Sequence, residues 1–182
     1  MNNPEDTKNK DAGLLASCYD WVGAAAIALT VVAIVFTLFF RVVNVSGDSM
    51  TNTLQNGEKL LLAGAYTSPE YGDIVVIRRT GATPLIKRVI GLPGDTIYID
   101  GVDGRVYRNG EPLSEPYVRG GVTPQRGMTT PYTVPEDGVF VLGDNRSNSL
   151  DSRELRDQIK MNDVVGVITY RLSPFESLRN GE

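Results

Sequence analysis

The chain has 182 residues, of which 41% are hydrophobic and 22% are charged, and its formal net charge is −4. This composition is that of a folded protein rather than a disordered one, and no basic cluster indicates nucleic-acid binding. The chain contains no histidine and a single cysteine, Cys18, which excludes Ser-His-Asp and Cys-His catalysis, most zinc sites and an internal disulfide.

The first predicted element is a membrane-spanning helix over residues 21–40. The run from Trp21 to Phe40 contains no charged residue, and about 20 helical residues span the roughly 30 Å hydrocarbon core of a bilayer. A buried core helix this apolar would need a much larger protein around it. A cleaved secretory signal fits poorly, because the run is long and no small-x-small site follows it. We therefore expect an uncleaved signal anchor.

The polar tail over residues 1–20 predicts the orientation of this anchor. Lys8 and Lys10 share the tail with acidic residues, and acidic residues count little in the positive-inside rule. We therefore expect a cytoplasmic tail and a single-pass protein of the cell membrane. Residues 41–182 would then form a domain on the extracytoplasmic face.

Residues 41–182 predict a mainly β domain, because short apolar runs alternate there with turn residues such as Pro93–Asp95. The predicted strands are Lys59–Ala63, Asp73–Arg78, Leu85–Leu92, Thr96–Ile99, Arg105–Arg108, Val139–Leu142 and Val164–Tyr170. We expect a short helix over Ser152–Ile159, and an extended loop or hairpin insertion over Gly110–Pro135. Close turns between short strands favour an antiparallel β-barrel or folded sheet behind the anchor.

The first candidate for chemistry is Ser46–Met50, which follows the anchor directly. A glycine at position 47 lets the backbone turn sharply and exposes the hydroxyl of Ser49 together with nearby N–H groups. Such N–H groups can form an oxyanion hole, which stabilises the charge that develops in acyl transfer. The alternative for this motif by itself is a polar linker.

The second candidate is the predicted strand that contains Lys87 and Arg88. Alternation places the two cations on opposite faces, each among apolar neighbours. In a central strand at least one of them would be buried. Burial lowers the pKa of a lysine and makes its free amine available as a base, whereas arginine stays protonated. The alternative is that Lys87 lies on a solvated edge.

The third candidate is the polar loop that follows the predicted strand Val139–Leu142. Its acids and arginines are Asp144, Arg146, Asp151 and Arg153. Such a cluster can form charge-assisted, bidentate pairs that fix the geometry of a loop. The hydroxyl of Ser149 could orient a catalytic group. A solvated turn is the alternative.

Taken together, these segments resemble the type I signal peptidases of bacteria, and the single anchor and short domain look like the Gram-positive form. The resemblance covers the chain from the anchor to its end, including Tyr71–Val76. The matching motifs are Gly47-x-Ser49-Met50, Lys87-Arg88-Val89 and Gly143-Asp144-Asn145-Arg146…Ser149…Asp151-Ser152-Arg153. Their occurrence together and in this order favours the catalytic interpretation of each segment over the alternatives of a linker, a solvated edge and a solvated turn.

The resemblance implies that Ser49 is the nucleophile, that Lys87 is the general base, and that Ser149 hydrogen-bonds and orients the lysine amine. It implies that four further residues support the site through ion pairs, namely Asp144, Arg146, Asp151 and Arg153. It also implies that no metal or other cofactor takes part. The chain has Gly47 where some members have a serine, and the oxyanion donor would then be the backbone N–H of Ser49. It has Asn52 where the family usually has proline.

The function implied is that of a membrane-bound serine endopeptidase. It would remove N-terminal signal peptides from exported preproteins after a small-x-small site, typically Ala-x-Ala. Its partners would be preproteins, the phospholipid membrane and the nearby export machinery, with no nucleic acid. A self-cleaving regulator of the repressor type would need a DNA-binding region and no anchor. A tethered scaffold would need neither Ser49 nor Lys87, and cleavage of an Ala-x-Ala preprotein distinguishes it from a peptidase.

Overall fold

The computed structural model describes residues 4–63, 68–155 and 159–178, and the chain divides into two compact units, residues 1–39 and 40–182. The first unit is helix α1, Pro4–Phe39. Its segment Cys18–Thr37, with a mean hydropathy of 2.0, is long and apolar enough to cross a membrane. This segment coincides closely with the predicted span, and the helix ends one residue earlier because Phe40 begins a strand.

The second unit consists of two antiparallel sheets, which confirms the predicted mainly β fold in its folded-sheet form. Its larger sheet contains β1 Phe40–Asn44, β2 Lys59–Ala63, β3 Ile74–Ile77, β4 Leu85–Gly91, β9 Phe140–Leu142, β10 Val164–Leu172 and β11 Phe175–Ser177. The strand order is β1-β2-β10-β3-β4-β9, and β11 pairs with β10. The smaller sheet contains β5 Thr96–Ile99, β6 Val106–Arg108, β7 Glu111–Pro112 and β8 Tyr132–Thr133, in the order β7-β6-β5-β8.

The predicted strands are all present, and their ends lie within two residues of the predicted ones. Strands β1, β7, β8 and β11 were not predicted, because each is short or adjoins another element that accounts for its apolar residues. The expected insertion Gly110–Pro135 contributes β7 and β8 to the smaller sheet. The expected helix Ser152–Ile159 begins as α2, Ser152–Leu155, and residues 156–158 lie outside the described part. A 3₁₀ turn, Met161–Asp163, precedes β10.

The position of β4 decides the environment of the two predicted cations. It lies between β3 and β9, with Val75 opposite Lys87 and Leu142 opposite Arg88. All residues of β3 and β9 are buried, and apolar clusters pack on both faces of the sheet. Lys87 and Arg88 are therefore both withdrawn from water, so the solvated-edge alternative for Lys87 does not hold.

Candidate active site

The candidate nucleophile lies in the turn that connects β1 to β2. Gly47 adopts a φ of 88°, a left-handed conformation that glycine reaches without strain, and its N–H donates to Asn56 Oδ1 at 3.0 Å. The Met50 side chain is buried in the core, and its carbonyl oxygen accepts hydrogen bonds from the N–H groups of Thr53 and Leu54. Core packing on one side and turn hydrogen bonds on the other therefore leave Ser49 half-buried at the surface.

Lys87 and Ser49 meet directly. Lys87 Nζ lies 2.7 Å from Ser49 Oγ and also donates to the backbone oxygen of Ile86 at 2.9 Å. The lysine is only 2% exposed. In the part of the chain that the structure describes, no carboxylate lies within ion-pair distance of this amine. A serine hydroxyl and an unpaired, buried amine at hydrogen-bond distance form an arrangement suited to nucleophilic catalysis.

Burial also sets the protonation of this amine. Desolvation lowers the pKa of Lys87 to about 8, although the negative charges of Asp151 and Asp144 act in the opposite direction. The charged form is disfavoured because the site offers it no paired carboxylate to replace water. A substantial fraction of the amine is therefore neutral at mildly alkaline pH and can accept a proton.

Arg88, the next residue along β4, is buried on the opposite face and remains paired. Its Nε and Nη2 donate to the two oxygens of Asp144 at 2.9 and 2.7 Å, and its Nη1 donates to the Gly72 carbonyl at 2.8 Å. The guanidinium also stacks on the Tyr117 ring, 4.0 Å from the centroid. Desolvation opposes the charge, but the hydrogen bonds and charge of Asp144 outweigh it and raise the pKa of Arg88.

The loop after β9 holds the nucleophile turn in place. The N–H of Asn145 donates to the Ser49 carbonyl at 2.9 Å, and its side-chain amide donates to the Asp48 carbonyl at 3.0 Å. Asp144 Oδ2 accepts a hydrogen bond from the Thr53 hydroxyl. Neither Asn145 nor Thr53 was predicted as a site residue, although Asn145 lies within the motif Gly143-Asp144-Asn145-Arg146.

Gly143 permits this close approach of the two loops. A Cβ atom at this position would lie 2.5 Å from the carbonyl oxygen of Ser49 and would overlap the Ser149 hydroxyl. Any side chain here would therefore push the nucleophile turn and the Ser149 loop apart. Glycine is required by space rather than by backbone conformation.

The four supporting residues form three ion pairs, of which one lies within the loop. Asp151 accepts hydrogen bonds from Arg153 Nε and Nη2 at 2.9 and 2.8 Å. Arg146 pairs instead with Glu115, whose Oε1 lies 2.6 Å from its Nη2, and Asp144 pairs with Arg88. Desolvation opposes the charge of Asp151, but the bonds and charge of Arg153, together with smaller contributions, hold its pKa below the ordinary value.

Ser149 lies beside this arrangement without the contact that the resemblance implied. Its hydroxyl is buried and has no hydrogen-bond partner of normal geometry among the described residues. The amine of Lys87 is held instead by the Ile86 carbonyl. The Ser149 hydroxyl does lie close enough to Asp151 to help lower the pKa of that carboxyl.

Two backbone features complete the turn. The N–H of Ser49 donates no hydrogen bond to any residue within the described ranges, so it is available to an oxygen of a bound substrate. Asn52 adopts a φ of 101°, which a proline ring cannot reach because it fixes φ near −65°. The backbone at position 52 is therefore compatible with asparagine in place of the usual proline. A turn with proline at this position would need a different φ.

Comparisons with known proteins show the family to which the chain belongs. The profile of the family described as "Signal peptidase, peptidase S26" matches residues 18–173. Signal peptidase I P of Bacillus subtilis subsp. natto is 35% identical over 96% of this chain and 99% of its own. Signal peptidase I of Bacillus licheniformis is 33% identical over 95% and 98%. A solved signal peptidase I from Enterococcus faecalis V583 is 34% identical, with a TM-score of 0.48 over 58% of this chain and all of that one.

The family profile covers most of the chain, and the relatives match nearly all of it. The N-terminal apolar helix is consistent with membrane anchoring. The relatives are described as signal peptidases. The chain therefore belongs to the signal peptidase family, peptidase S26, and is a serine endopeptidase of the signal peptidase I type.

Proposed function

We propose that this enzyme removes N-terminal signal peptides by cleaving after a small-x-small site, typically Ala-x-Ala, with Ser49 as nucleophile and Lys87 as general base. The observation that carries the proposal is the 2.7 Å contact between Lys87 Nζ and Ser49 Oγ, made by an amine whose pKa is lowered to about 8. A free amine at this distance can take the hydroxyl proton as the hydroxyl attacks.

Acylation transfers the signal peptide to Ser49. Its Oγ forms a bond to the scissile carbonyl carbon while Lys87 takes the hydroxyl proton. The C–N bond then breaks, and the protonated lysine gives this proton to the leaving amine, which becomes the new N-terminus of the mature protein. The N–H of Ser49 would stabilise the oxyanion, a contribution of roughly 10²–10³-fold for one donor.

Deacylation repeats the proton transfers with water. Lys87 takes a proton from a water molecule that attacks the ester, and it returns this proton to Ser49 Oγ as the C–O bond breaks. Positioned acid–base catalysis of this kind contributes about 10²–10⁴-fold. One lysine therefore serves both half-reactions.

The proposed location follows from helix α1. Residues 21–40, most of which lie within the apolar segment Cys18–Thr37, would cross the cell membrane once, with residues 1–20 in the cytoplasm and residues 41–182 on the extracytoplasmic face. The domain would then meet preproteins as they emerge from the export machinery. Because enzyme and substrate would share one phospholipid membrane, their effective concentration would be raised.

The test uses the full chain in detergent micelles with a preprotein that carries an Ala-x-Ala site. We expect one cleavage after the second alanine, identified by mass spectrometry, and no cleavage by Ser49→Ala. A preprotein with leucine in place of both alanines should stay intact. The rising limb of kcat/KM should lie near pH 8, because the amine must lose its proton before it can act. Cleavage by Ser49→Ala, or equal cleavage of the leucine preprotein, would refute the proposal.

A further inference from the structure

The region expected to be an extended insertion is bound closely to the loop that carries Ser149. We call residues 115–126 the clasp. Three contacts near its start and end illustrate how it is joined to that loop and to the short helix after it. They are the Glu115 ion pair with Arg146, the Arg119 N–H bond to the Asp144 carbonyl at 3.0 Å, and the Arg153 Nη1 bond to the Pro124 carbonyl at 2.9 Å.

Arg126 makes the clasp contact that reaches Ser149 itself. Its Nη1 donates to the Ser149 carbonyl at 3.0 Å, and its Nη2 donates to the Ser147 carbonyl. Nη1 also lies 2.6 Å from Glu154 Oε1. The residue adopts a φ of 51°, which is uncommon for a side chain other than glycine, asparagine or aspartate. The surrounding contacts therefore hold Arg126 in a conformation that its own backbone does not favour.

The rigid fork of the guanidinium fixes the backbone on both sides of Asn148. This fixes the Ser149 side chain, whose hydroxyl lies against the space that a side chain at Gly143 would occupy. The Ser49 carbonyl oxygen also lies against this space, 2.5 Å from the Cβ position. A shift of the Ser149 backbone would therefore be transmitted through close packing to the nucleophile turn.

We infer that Arg126 is a positioning residue for the reaction of Ser49 and Lys87: by holding the carbonyls of Ser147 and Ser149, it sets the spacing of the Ser149 loop and the nucleophile turn. This inference rests on the proposed Ser–Lys mechanism. It concerns a side chain outside the three motifs that carry the family resemblance. The clasp then positions the Ser149 loop through contacts with its backbone and does not touch the reacting atoms.

The ion pair with Glu154 provides a matched control. The Arg126 and Glu154 side chains are 27% and 35% exposed, and an exposed pair of this kind contributes little to stability. Glu154→Gln removes the charge partner and leaves both carbonyl contacts. Arg126→Met removes every side-chain donor and keeps an unbranched apolar chain that resembles the aliphatic part of the arginine. Arg126→Ala removes both the donors and the side-chain packing.

The experiment compares the three variants with wild type on a soluble Ala-x-Ala peptide, using the full chain in detergent. Because a misplacement of about 1 Å can cost 10²-fold, we expect Arg126→Met and Arg126→Ala to lower kcat about 10-fold or more with KM within about twofold. Glu154→Gln should keep kcat within about twofold. A wild-type kcat for Arg126→Met, an equal loss in Glu154→Gln, or a raised KM with kcat unchanged would overturn the inference.

A second readout does not depend on cleavage. Hydrogen exchange at the amides of residues 147–150 should be faster in Arg126→Met than in Glu154→Gln and wild type, and unchanged exchange would overturn the inference. If Arg126→Ala does not fold, Arg126→Met and this exchange measurement decide the question. Failure of the wild type to cleave would instead refute the proposed function, so the two failures are distinguishable.

Discussion

Lys87 and Arg88 are neighbours on one strand, and both are buried, yet their surroundings give them opposite chemistry. Lys87 lies beside a serine hydroxyl and a backbone carbonyl, without a carboxylate at ion-pair distance among the described residues. Arg88, on the other face, binds Asp144 through two nitrogens. Burial by itself therefore does not decide the direction of a pKa shift: the pKa of the paired cation is raised, whereas the pKa of the unpaired one is lowered.

Lys87→Arg is the most direct test of the difference between these two cations. An arginine keeps the positive charge and cannot lose its proton at working pH, so we expect single-turnover cleavage to fall by about 10²–10⁴-fold, the usual contribution of a general base. Circular dichroism should show the wild-type fold. A folded and active Lys87→Arg enzyme would defeat the Ser–Lys mechanism.

Asp144→Ala tests the ion pair of Arg88 on the other face of β4. The substitution leaves the Arg88 guanidinium buried without its partner, and breaking a buried pair typically costs about 3–5 kcal/mol. Urea unfolding of the isolated variant should show this loss in the free energy of unfolding. Replacing both partners, as in Arg88→Met with Asp144→Leu, should recover part of it. A loss below about 1 kcal/mol for Asp144→Ala would show that the pair is not what keeps Arg88 buried.

The pH dependence of stability tests the lowered pKa of Lys87. The pKa of Lys87 is about 8 in the folded state against an ordinary 10.5, so the folded protein releases this proton first as the pH rises. Below pH 8 the folded state bears the full cost of the buried charge, and between pH 8 and 10.5 this cost is progressively removed. Lys87→Met should therefore be more stable than wild type at pH 7, and the gap should narrow by up to about 3 kcal/mol by pH 10.5. A gap that is constant with pH would contradict the lowered pKa.

Ser149 and Ser152 allow a smaller, matched test near the site. Ser149→Ala removes a hydroxyl without a hydrogen-bond partner of normal geometry among the described residues, so we expect only a small loss of stability, from its contribution to Asp151. If the hydroxyl orients Lys87 during the reaction, turnover should fall by about 10-fold. Ser152→Ala removes the acceptor of the buried Val141 N–H, which should cost about 1–3 kcal/mol of stability. Full activity in Ser149→Ala would exclude the orienting role implied by the resemblance.

Asn52 gives the smallest expected effect. Its φ of 101° disfavours residues with a Cβ, among which asparagine is better tolerated than alanine. Asn52→Ala should lower the free energy of unfolding by roughly 1 kcal/mol relative to Asn52→Gly. Equal stabilities in thermal denaturation would show that the turn relaxes to another conformation.

The sequence was sufficient to predict the helices and strands that are specified by a short, continuous stretch of residues. A run of about 20 uncharged apolar residues requires a membrane-sized helix, and β-branched runs between glycine-rich turns require strands. The alternation of β4 correctly placed its two cations on opposite faces. Strand β1 was missed because its first residue, Phe40, continues the apolar run of the helix, and β7 and β8 because two residues carry no detectable period.

Which acid pairs with which arginine could not be predicted from the sequence, because the ion pairs join distant segments of the chain. The acids and arginines of the Ser149 loop suggested pairs within that loop, and only Asp151 and Arg153 pair so. Asp144 instead binds Arg88, 56 residues away, and Arg146 binds Glu115, 31 residues away. Which charges meet follows from the order of the strands rather than from their spacing along the chain.

The sequence was enough to predict the N-terminal apolar helix, the mainly β domain and the three segments that contain Ser49, Lys87 and Ser149. The tertiary structure alone decided that Lys87 meets Ser49 across 38 residues, that it does so without a paired carboxylate at ion-pair distance within the described residues, and that the clasp holds the Ser149 loop. Local patterns fix which way a side chain points along its own strand. What that side chain meets, and therefore whether it keeps its proton, is fixed only when strands from distant parts of the chain pack together.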